Sequence, residues 1–148
     1  MMDSISKSID LLLVEDDASD IELTSEVLQE SRFNVQLNVV RDGMEAIAYL
    51  KHQSPYELAT IPHLILLDLN LPRKNGQEVL REIRMNQETK HIPVIVLTTS
   101  NAESDVLTAY QIGANCYIPK PIDLDGFIKA FRTLEDFWFS LVLLPKHS

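Results

Sequence analysis

Cysteine, basic residues and long apolar runs are all scarce in this sequence. Cys116 is the single cysteine among 148 residues, so no internal disulfide can form and a reducing cytoplasm is the expected compartment. No stretch approaches the roughly 18 unbroken apolar residues that a membrane-spanning helix needs. Lys and Arg number 13 against 22 Asp and Glu, for a formal net charge of -9. Because no basic run offsets this charge, we do not expect direct DNA binding.

Short apolar runs alternate along the chain with helix-periodic stretches. The runs predict strands at 9–14, 35–40, 64–67, 94–97 and 115–118, and the periodic stretches predict helices at about 19–31, 43–52, 75–86, 101–112 and 123–140. Several of the runs are continuously apolar, as is typical of parallel strands covered on both faces. The pattern predicts an α/β fold with a doubly wound, five-stranded parallel sheet.

This reading divides the chain into a flexible N-terminus at 1–8, one domain at 9–140 and an apolar C-terminal extension at 141–148. We expect no second, output domain. Ser19 with Glu22, and Ser100 with Glu103, have the spacing of a capping box and predict where two of the helices begin.

Polar side chains follow four of the predicted strands. Glu15, Asp16 and Asp17 end the first strand and Asp68 ends the third, while Thr98 ends the fourth and Lys120 follows the fifth. Ligands of doubly wound sheets bind beyond the carboxyl ends of the strands, so these groups are expected at one rim. Clustered acids repel one another, and a hard cation such as Mg²⁺ relieves that repulsion with oxygen ligands. An aspartate beside such an ion can accept a phosphoryl group, whose charge an ammonium and a hydroxyl would help to stabilise.

Four segments, LLLVEDD, LILLDLNLPRKNG, PVIVLTTS and GANCYIPKP, resemble the signature segments of response-regulator receiver domains. The resemblance implies a flavodoxin-like (βα)5 fold with strand order 2-1-3-4-5. It implies that Asp68 is the phosphoacceptor, with Thr98 and Lys120 contacting phosphoryl oxygens. It also implies that Mg²⁺ is held by Glu15, Asp16, Asp68 and the backbone carbonyl of Asn70.

The same resemblance implies a conformational switch. Tyr117 stands at the family's switch-aromatic position, and its ring would turn inward when Thr98 moves toward the phosphoryl group. The Lys120–Pro121 peptide matches a cis bond of the family. The output surface would be the fourth helix, fifth strand and fifth helix. The sequence departs from many members in having Glu15 where they have aspartate.

A closer resemblance links the chain to cyanobacterial phytochrome response regulators, through the long loop before the third strand, the NCY segment and the ending EDFWFSLVLLP. These are stand-alone receivers phosphorylated by a histidine kinase. This implies a phytochrome kinase as the partner and a place in a two-component phosphorelay.

Two other functions are open to such residues. Haloacid-dehalogenase-type phosphohydrolases also combine an Asp nucleophile with Thr, Lys and Mg²⁺, but they need a second Asp where this chain has Asn70. A phosphorylation-independent interaction scaffold is the other alternative. We therefore expect a phosphoacceptor that is not an enzyme with turnover of a free substrate.

The predicted last helix has more apolar residues than one buried face can use. Its inward stripe is Leu124, Phe127, Ile128, Phe131, Leu134 and Trp138. Phe137 and Phe139 fall off that stripe, and Leu141 and Leu143 follow. Excess apolar surface of this kind is typical of interfaces, so these four residues predict a homodimer through the last helix and tail. The alternative is a tail that folds back on its own domain.

Overall fold

The computed structural model describes residues 8–30, 34–99 and 103–120, with Asp125, Ile128, Lys129 and Arg132. In chain order, the elements are β1 (Ser8–Val14), α1 (Ala18–Gln29), β2 (Asn34–Val40), α2 (Gly43–Leu50), β3 (Leu64–Leu67), α3 (Gly76–Met85), β4 (Val94–Thr98), α4 (Glu103–Ile112) and β5 (Cys116–Pro119). These elements match the predicted strands and the first four predicted helices, with ends that differ by a few residues. The four isolated positions are helical, and the rest of the predicted fifth helix lies outside the described residues.

The sheet has five parallel strands in the order β2-β1-β3-β4-β5, which confirms the predicted α/β fold and strand order. β1, β3 and β4 are therefore interior strands, and β2 and β5 form the two edges. Val14 pairs with Leu67 in the register of β1 and β3, and Thr98 pairs with Pro119 in that of β4 and β5. The residues that follow these strands consequently meet at one rim.

Alternation along the strands gives the sheet two apolar faces. One face packs against α2, α3 and α4, where the buried side chains include Ala46, Val79, Ile83 and Ala109. The other face packs against α1 through Val27 and Leu28, and Ile128 of the predicted fifth helix packs there too. Ile128 thus faces the core as its place in the inward stripe predicts, whereas Asp125, Lys129 and Arg132 are exposed.

The capping prediction for α1 was wrong. Asp17, not Ser19, is the N-cap, and its side chain accepts from the backbone N–H groups of Ser19 and Asp20. Asp17 has an extended backbone directly after β1, which lets its carboxylate reach the first turn. The second predicted box begins at Ser100, outside the described residues. α3 has a complete capping box, formed by Asn75 and Glu78, that the sequence analysis missed.

Among the described residues, no helix combines the length and the apolar character that crossing a membrane requires.

Candidate functional site

The ends of β1 and β3 bring two acidic side chains together. The backbone N–H of Asp68 donates to the carbonyl of Val14 at 3.0 Å, and that of Glu15 donates to the carbonyl of Val40, also at 3.0 Å. These bonds continue the sheet for one residue past each strand. As a result Glu15 is 1% exposed and Asp68 is 7% exposed, while Asp16 remains exposed.

Glu15, Asp16 and Asp68 form an acidic group with the geometry of a metal site. Each offers one carboxylate oxygen, and the three oxygens lie within 4.8 Å of one another. Carboxylate oxygens this close repel one another when they are ionised, and hard divalent cations prefer such ligands. The residues therefore fit a divalent metal ion, as the sequence analysis predicted for them.

Lys120 reaches this acidic group from the end of β5. Its Nζ hydrogen-bonds to Glu15, to Asp20 Oδ2 at 2.8 Å and to Asp68 Oδ2 at 3.2 Å. The side chain of Lys120 is only 10% exposed, so its ion pairs with the buried Glu15 and Asp68 are shielded from water, whereas the side chain of Asp20 is 34% exposed. The structure thus places Lys120 beside Asp68, as a role in binding a phosphoryl oxygen requires.

Burial and charge act on these groups in opposite directions. Burial raises the pKa of Glu15 to about 7, although the hydrogen bond from Lys120 lowers it. Burial alone would lower the pKa of Lys120, but the hydrogen bonds to Asp20 and Glu15 and the charge of Asp68 outweigh it and raise this pKa. Lys120 therefore stays an ammonium group at neutral pH.

The second oxygen of Asp68 is held by the loop that follows β3. The backbone N–H of Asn70 donates to Asp68 Oδ1 at 2.9 Å, and the Asn70 side-chain amide donates to Thr99 Oγ1 at 2.9 Å. The first bond fixes the Asp68 carboxylate, and the second ties the loop after β3 to the end of β4. This arrangement puts Asn70 beside the acidic group, and its backbone carbonyl stays a predicted metal ligand.

The structure describes the other predicted site residues to different extents. Thr98 is the last residue of β4, at the rim that carries Asp68, and only its backbone is described. Tyr117 is half-buried on β5 and packs against the face covered by α2, α3 and α4. Its switch role stays a prediction. Pro121, and with it the predicted cis bond, lies outside the described residues, as do Phe137, Phe139, Leu141 and Leu143.

Sequence reasoning missed Asp20, which binds Lys120 from the first turn of α1. It stands three residues after Asp17, the spacing of the N-cap and N3 positions of a helix, and this spacing is the one signal that sets it apart. That spacing predicts a capping role and not a contact with a lysine 100 residues away.

The chain matches the response regulator receiver domain family over residues 11–132. The chain belongs to this family. It is 47% identical over 135 residues to Response regulator Rcp1 of Synechocystis sp., a match that covers 91% of this chain and 92% of Rcp1.

Two solved structures are similar over nearly the whole receiver domain. The phosphorylated cyanobacterial phytochrome response regulator RcpA is 44% identical with a TM-score of 0.89, and the match covers 95% of this chain and 100% of RcpA. The Mn²⁺-bound form of Rcp1 is 46% identical with a TM-score of 0.86, covering 93% of this chain and 99% of Rcp1.

Family membership excludes one of the two functional alternatives. A receiver domain is a phosphoacceptor and not an enzyme that turns over a free substrate, so the phosphohydrolase alternative is excluded. The phosphorylated RcpA and the Mn²⁺-bound Rcp1 show that relatives of this receiver domain carry a phosphoryl group and a divalent metal ion.

Proposed function

We propose that this receiver domain is a stand-alone response regulator that accepts a phosphoryl group on Asp68 from a histidine kinase. The observation that carries the proposal is the position of Asp68. Asp68 is 7% exposed, and its carboxylate groups with those of Glu15 and Asp16 and contacts the ammonium of Lys120. A match that covers 92% of Rcp1 supports a regulator of this size.

The transfer is a substitution at phosphorus. An oxygen of Asp68 forms a bond to the phosphorus atom, the bond from phosphorus to the donor histidine nitrogen breaks, and that nitrogen takes up a proton. Lys120 supplies positive charge beside the accepting oxygen, and the backbone N–H of Asn70 holds the other oxygen of the carboxylate. This chain's residues thus orient the nucleophile and offset the negative charge of the incoming group.

Mg²⁺ is the proposed cofactor, held by Glu15, Asp16, Asp68 and the backbone carbonyl of Asn70. When bound, it supplies the positive charge that lets an anionic carboxylate approach an anionic phosphoryl group. The clustered oxygens of the three acids and the Mn²⁺-bound relative support this assignment.

The signal is proposed to leave the site through Thr98 and Tyr117. A phosphoryl group adds roughly -1.5 to -2 charge, so a local event must bias a two-state element. Thr98 contacts the phosphoryl group, Tyr117 turns inward, and the surface of α4, β5 and the predicted fifth helix changes. The place of Tyr117 on β5, packed toward the α4 face, supports this route.

The test of the phosphoacceptor is incubation of the full chain with phosphoramidate and Mg²⁺, followed by intact mass. We expect wild type to gain one phosphoryl group, and Asp68→Asn, or wild type without Mg²⁺, to gain none. Asp125→Asn is the matched control, because this exposed aspartate lies on the predicted last helix. Failure of wild type with both phosphoramidate and a kinase would leave the interaction scaffold as the function.

A phytochrome histidine kinase is the proposed donor. The likeness to the phytochrome response regulator RcpA supports it. The test compares phosphoryl transfer from an autophosphorylated cyanobacterial phytochrome kinase with transfer from an unrelated histidine kinase. We expect faster transfer from the phytochrome kinase, and equal rates would contradict the assignment.

Homodimerisation through the last helix and tail is also proposed, from the apolar Phe137, Phe139, Leu141 and Leu143. Sedimentation over a range of concentrations tests it. We expect a dimer in wild type that Phe139→Glu weakens, with Lys129→Glu as an exposed control on the predicted helix. A monomer at all concentrations would remove this proposal.

A further inference from the structure

Lys120 contacts one residue, Asp20, that lies outside the four signature segments of the family. An ammonium group has three N–H donors, and here they face three carboxylates: Glu15, Asp68 and Asp20. Glu15 and Asp68 also belong to the acidic group that fits a metal ion, whereas Asp20 does not. Asp20 is therefore the partner of Lys120 whose charge is not shared with that site.

The carboxylate of Asp20 does not help to cap its own helix. An acid at the N3 position of a helix commonly accepts the backbone N–H of the N-cap residue. Here the N–H of Asp17 donates instead to Glu15 Oε2 at 3.3 Å, while Asp20 Oδ2 binds Lys120 at 2.8 Å. The first turn of α1 thus directs this carboxylate to the lysine and not to its own cap.

The backbone of Asp20 is held firmly on both sides. Its N–H donates to Asp17 Oδ1 at 3.1 Å, and its carbonyl accepts from Thr24 Oγ1 at 2.8 Å. Thr24 is 2% exposed, so this second bond lies on the buried side of α1. The carboxylate on this hydrogen-bonded turn gives Lys120 a partner outside the proposed metal site.

We propose that Asp20 is a positioning residue for phosphoryl transfer, which holds the ammonium of Lys120 so that its remaining N–H points at Asp68. This inference rests on the proposed function of Asp68. On phosphorylation, Lys120 exchanges one partner, from Asp68 Oδ2 to a phosphoryl oxygen, and keeps its bonds to Asp20 and Glu15. The ammonium then needs little movement during the transfer, which is the advantage of a prearranged charge.

The test measures the rate of phosphorylation of the full chain by phosphoramidate at saturating Mg²⁺. We expect Asp20→Asn to slow the reaction roughly tenfold, since misplacing a reacting group is costly, and Asp20→Glu to restore part of the rate. Glu26→Gln is the control, because it removes the same charge from an exposed position on α1. The Mg²⁺ affinity of Asp20→Asn should stay within about twofold of wild type, as Asp20 is not among the proposed ligands.

A double-variant comparison separates positioning from a general effect of charge. If Asp20 acts through Lys120, then Asp20→Asn has no further effect on the phosphorylation rate once Lys120→Met is present. An equal slowing in both backgrounds would overturn the inference, as would an Asp20→Asn rate equal to that of Glu26→Gln. Absence of any phosphorylation in wild type would instead remove the proposed function itself. Thermal unfolding of each variant shows that the comparison is made on folded protein.

Discussion

Gly76 lies where the first turn of α3 comes closest to the backbone that carries Asp68. A Cβ atom at Gly76 would lie 2.4 Å from the Cα of Leu69 and 2.5 Å from the carbonyl oxygen of Asp68. Both neighbours are backbone atoms, which cannot move aside without moving the site. The Gly76 N–H also donates to the carbonyl of Leu69 at 2.9 Å, so the two segments are bonded as well as packed.

We expect Gly76→Ala to lower the free energy of unfolding by about 1–3 kcal/mol, because it overpacks a closed contact. The added methyl group should also displace the backbone that carries Asp68, and this displacement should slow phosphorylation of Asp68. Urea unfolding and the phosphoramidate rate check the two effects. Gln77→Ala, one position along α3 and half-buried, is the control, and an equal loss in both variants would contradict the explanation.

At the scale of the elements, Arg84 of α3 joins that helix to the loops before β4 and β5. Its guanidinium donates to the carbonyls of Lys90, Ile92 and Gly113 at 3.0, 2.7 and 2.9 Å, and to Asn115 Oδ1 at 2.9 Å. One planar group with several donors thus satisfies four acceptors from two separate loops.

Arg84→Ala should lower the free energy of unfolding by about 2–3 kcal/mol, because charged donors are lost and their acceptors are left unpaired. We expect Arg84→Lys to recover less than half of this loss, since a single ammonium cannot reach all four acceptors. Denaturant unfolding measures both. The exposed Arg81→Ala serves as control, and full recovery by lysine would contradict the role of the planar group.

α1 is capped by Asp17 and not by Ser19, which the capping-box spacing predicted. Asp17 accepts from the N–H groups of Ser19 and Asp20, whereas the Ser19 hydroxyl only donates to the Asp17 carboxylate. These bonds lower the pKa of Asp17, first through the Ser19 side chain and then through the Asp20 N–H.

We therefore expect Asp17→Ala to lower the urea midpoint of unfolding more than Ser19→Ala does. The loss of the N-cap exposes two helix N–H groups, while the loss of the serine hydroxyl removes one exposed bond. Unfolding of the two variants in parallel measures the order. The reverse order would restore Ser19 as the cap.

At the scale of the whole molecule, the positions of the negative charges bear on metal binding more than the net charge does. The chain carries a formal net charge of -9, and the acidic group of Glu15, Asp16 and Asp68 concentrates negative charge at one rim. A cation that binds only the folded state stabilises it by mass action.

Mg²⁺ should raise the melting temperature by roughly 6–10 °C at a free concentration about a hundredfold above its Kd. We expect Asp16→Asn to lose most of this rise, because the side chain is exposed and its removal leaves the core intact. Differential scanning calorimetry with and without Mg²⁺ is the measurement. If the Mg²⁺-dependent rise in melting temperature persisted in Asp16→Asn but was lost in the control Glu26→Gln, the ion would bind away from Asp16.

Much of the fold could be predicted because the apolar patterns that mark its strands and helices extend over short stretches of neighbouring residues. Continuous apolar runs such as that of β3 require burial on both faces, which a parallel sheet between helices provides. Once the strands are parallel, their carboxyl ends share a rim, which places Glu15, Asp68 and Lys120 at the same edge of the sheet. The sequence by itself therefore determined the fold class and most of the candidate site.

Only the tertiary structure decided which side chains of the site contact one another. Lys120 binds Glu15 across 105 residues and Asp20 across 100, and no short-range pattern encodes either contact. The cap of α1 was likewise undecidable from spacing, since both Asp17 and Ser19 can cap a helix and the path of the chain leaving β1 selects Asp17. Local patterns follow from backbone geometry and burial, whereas a contact between distant residues exists only after the sheet has brought its strands together.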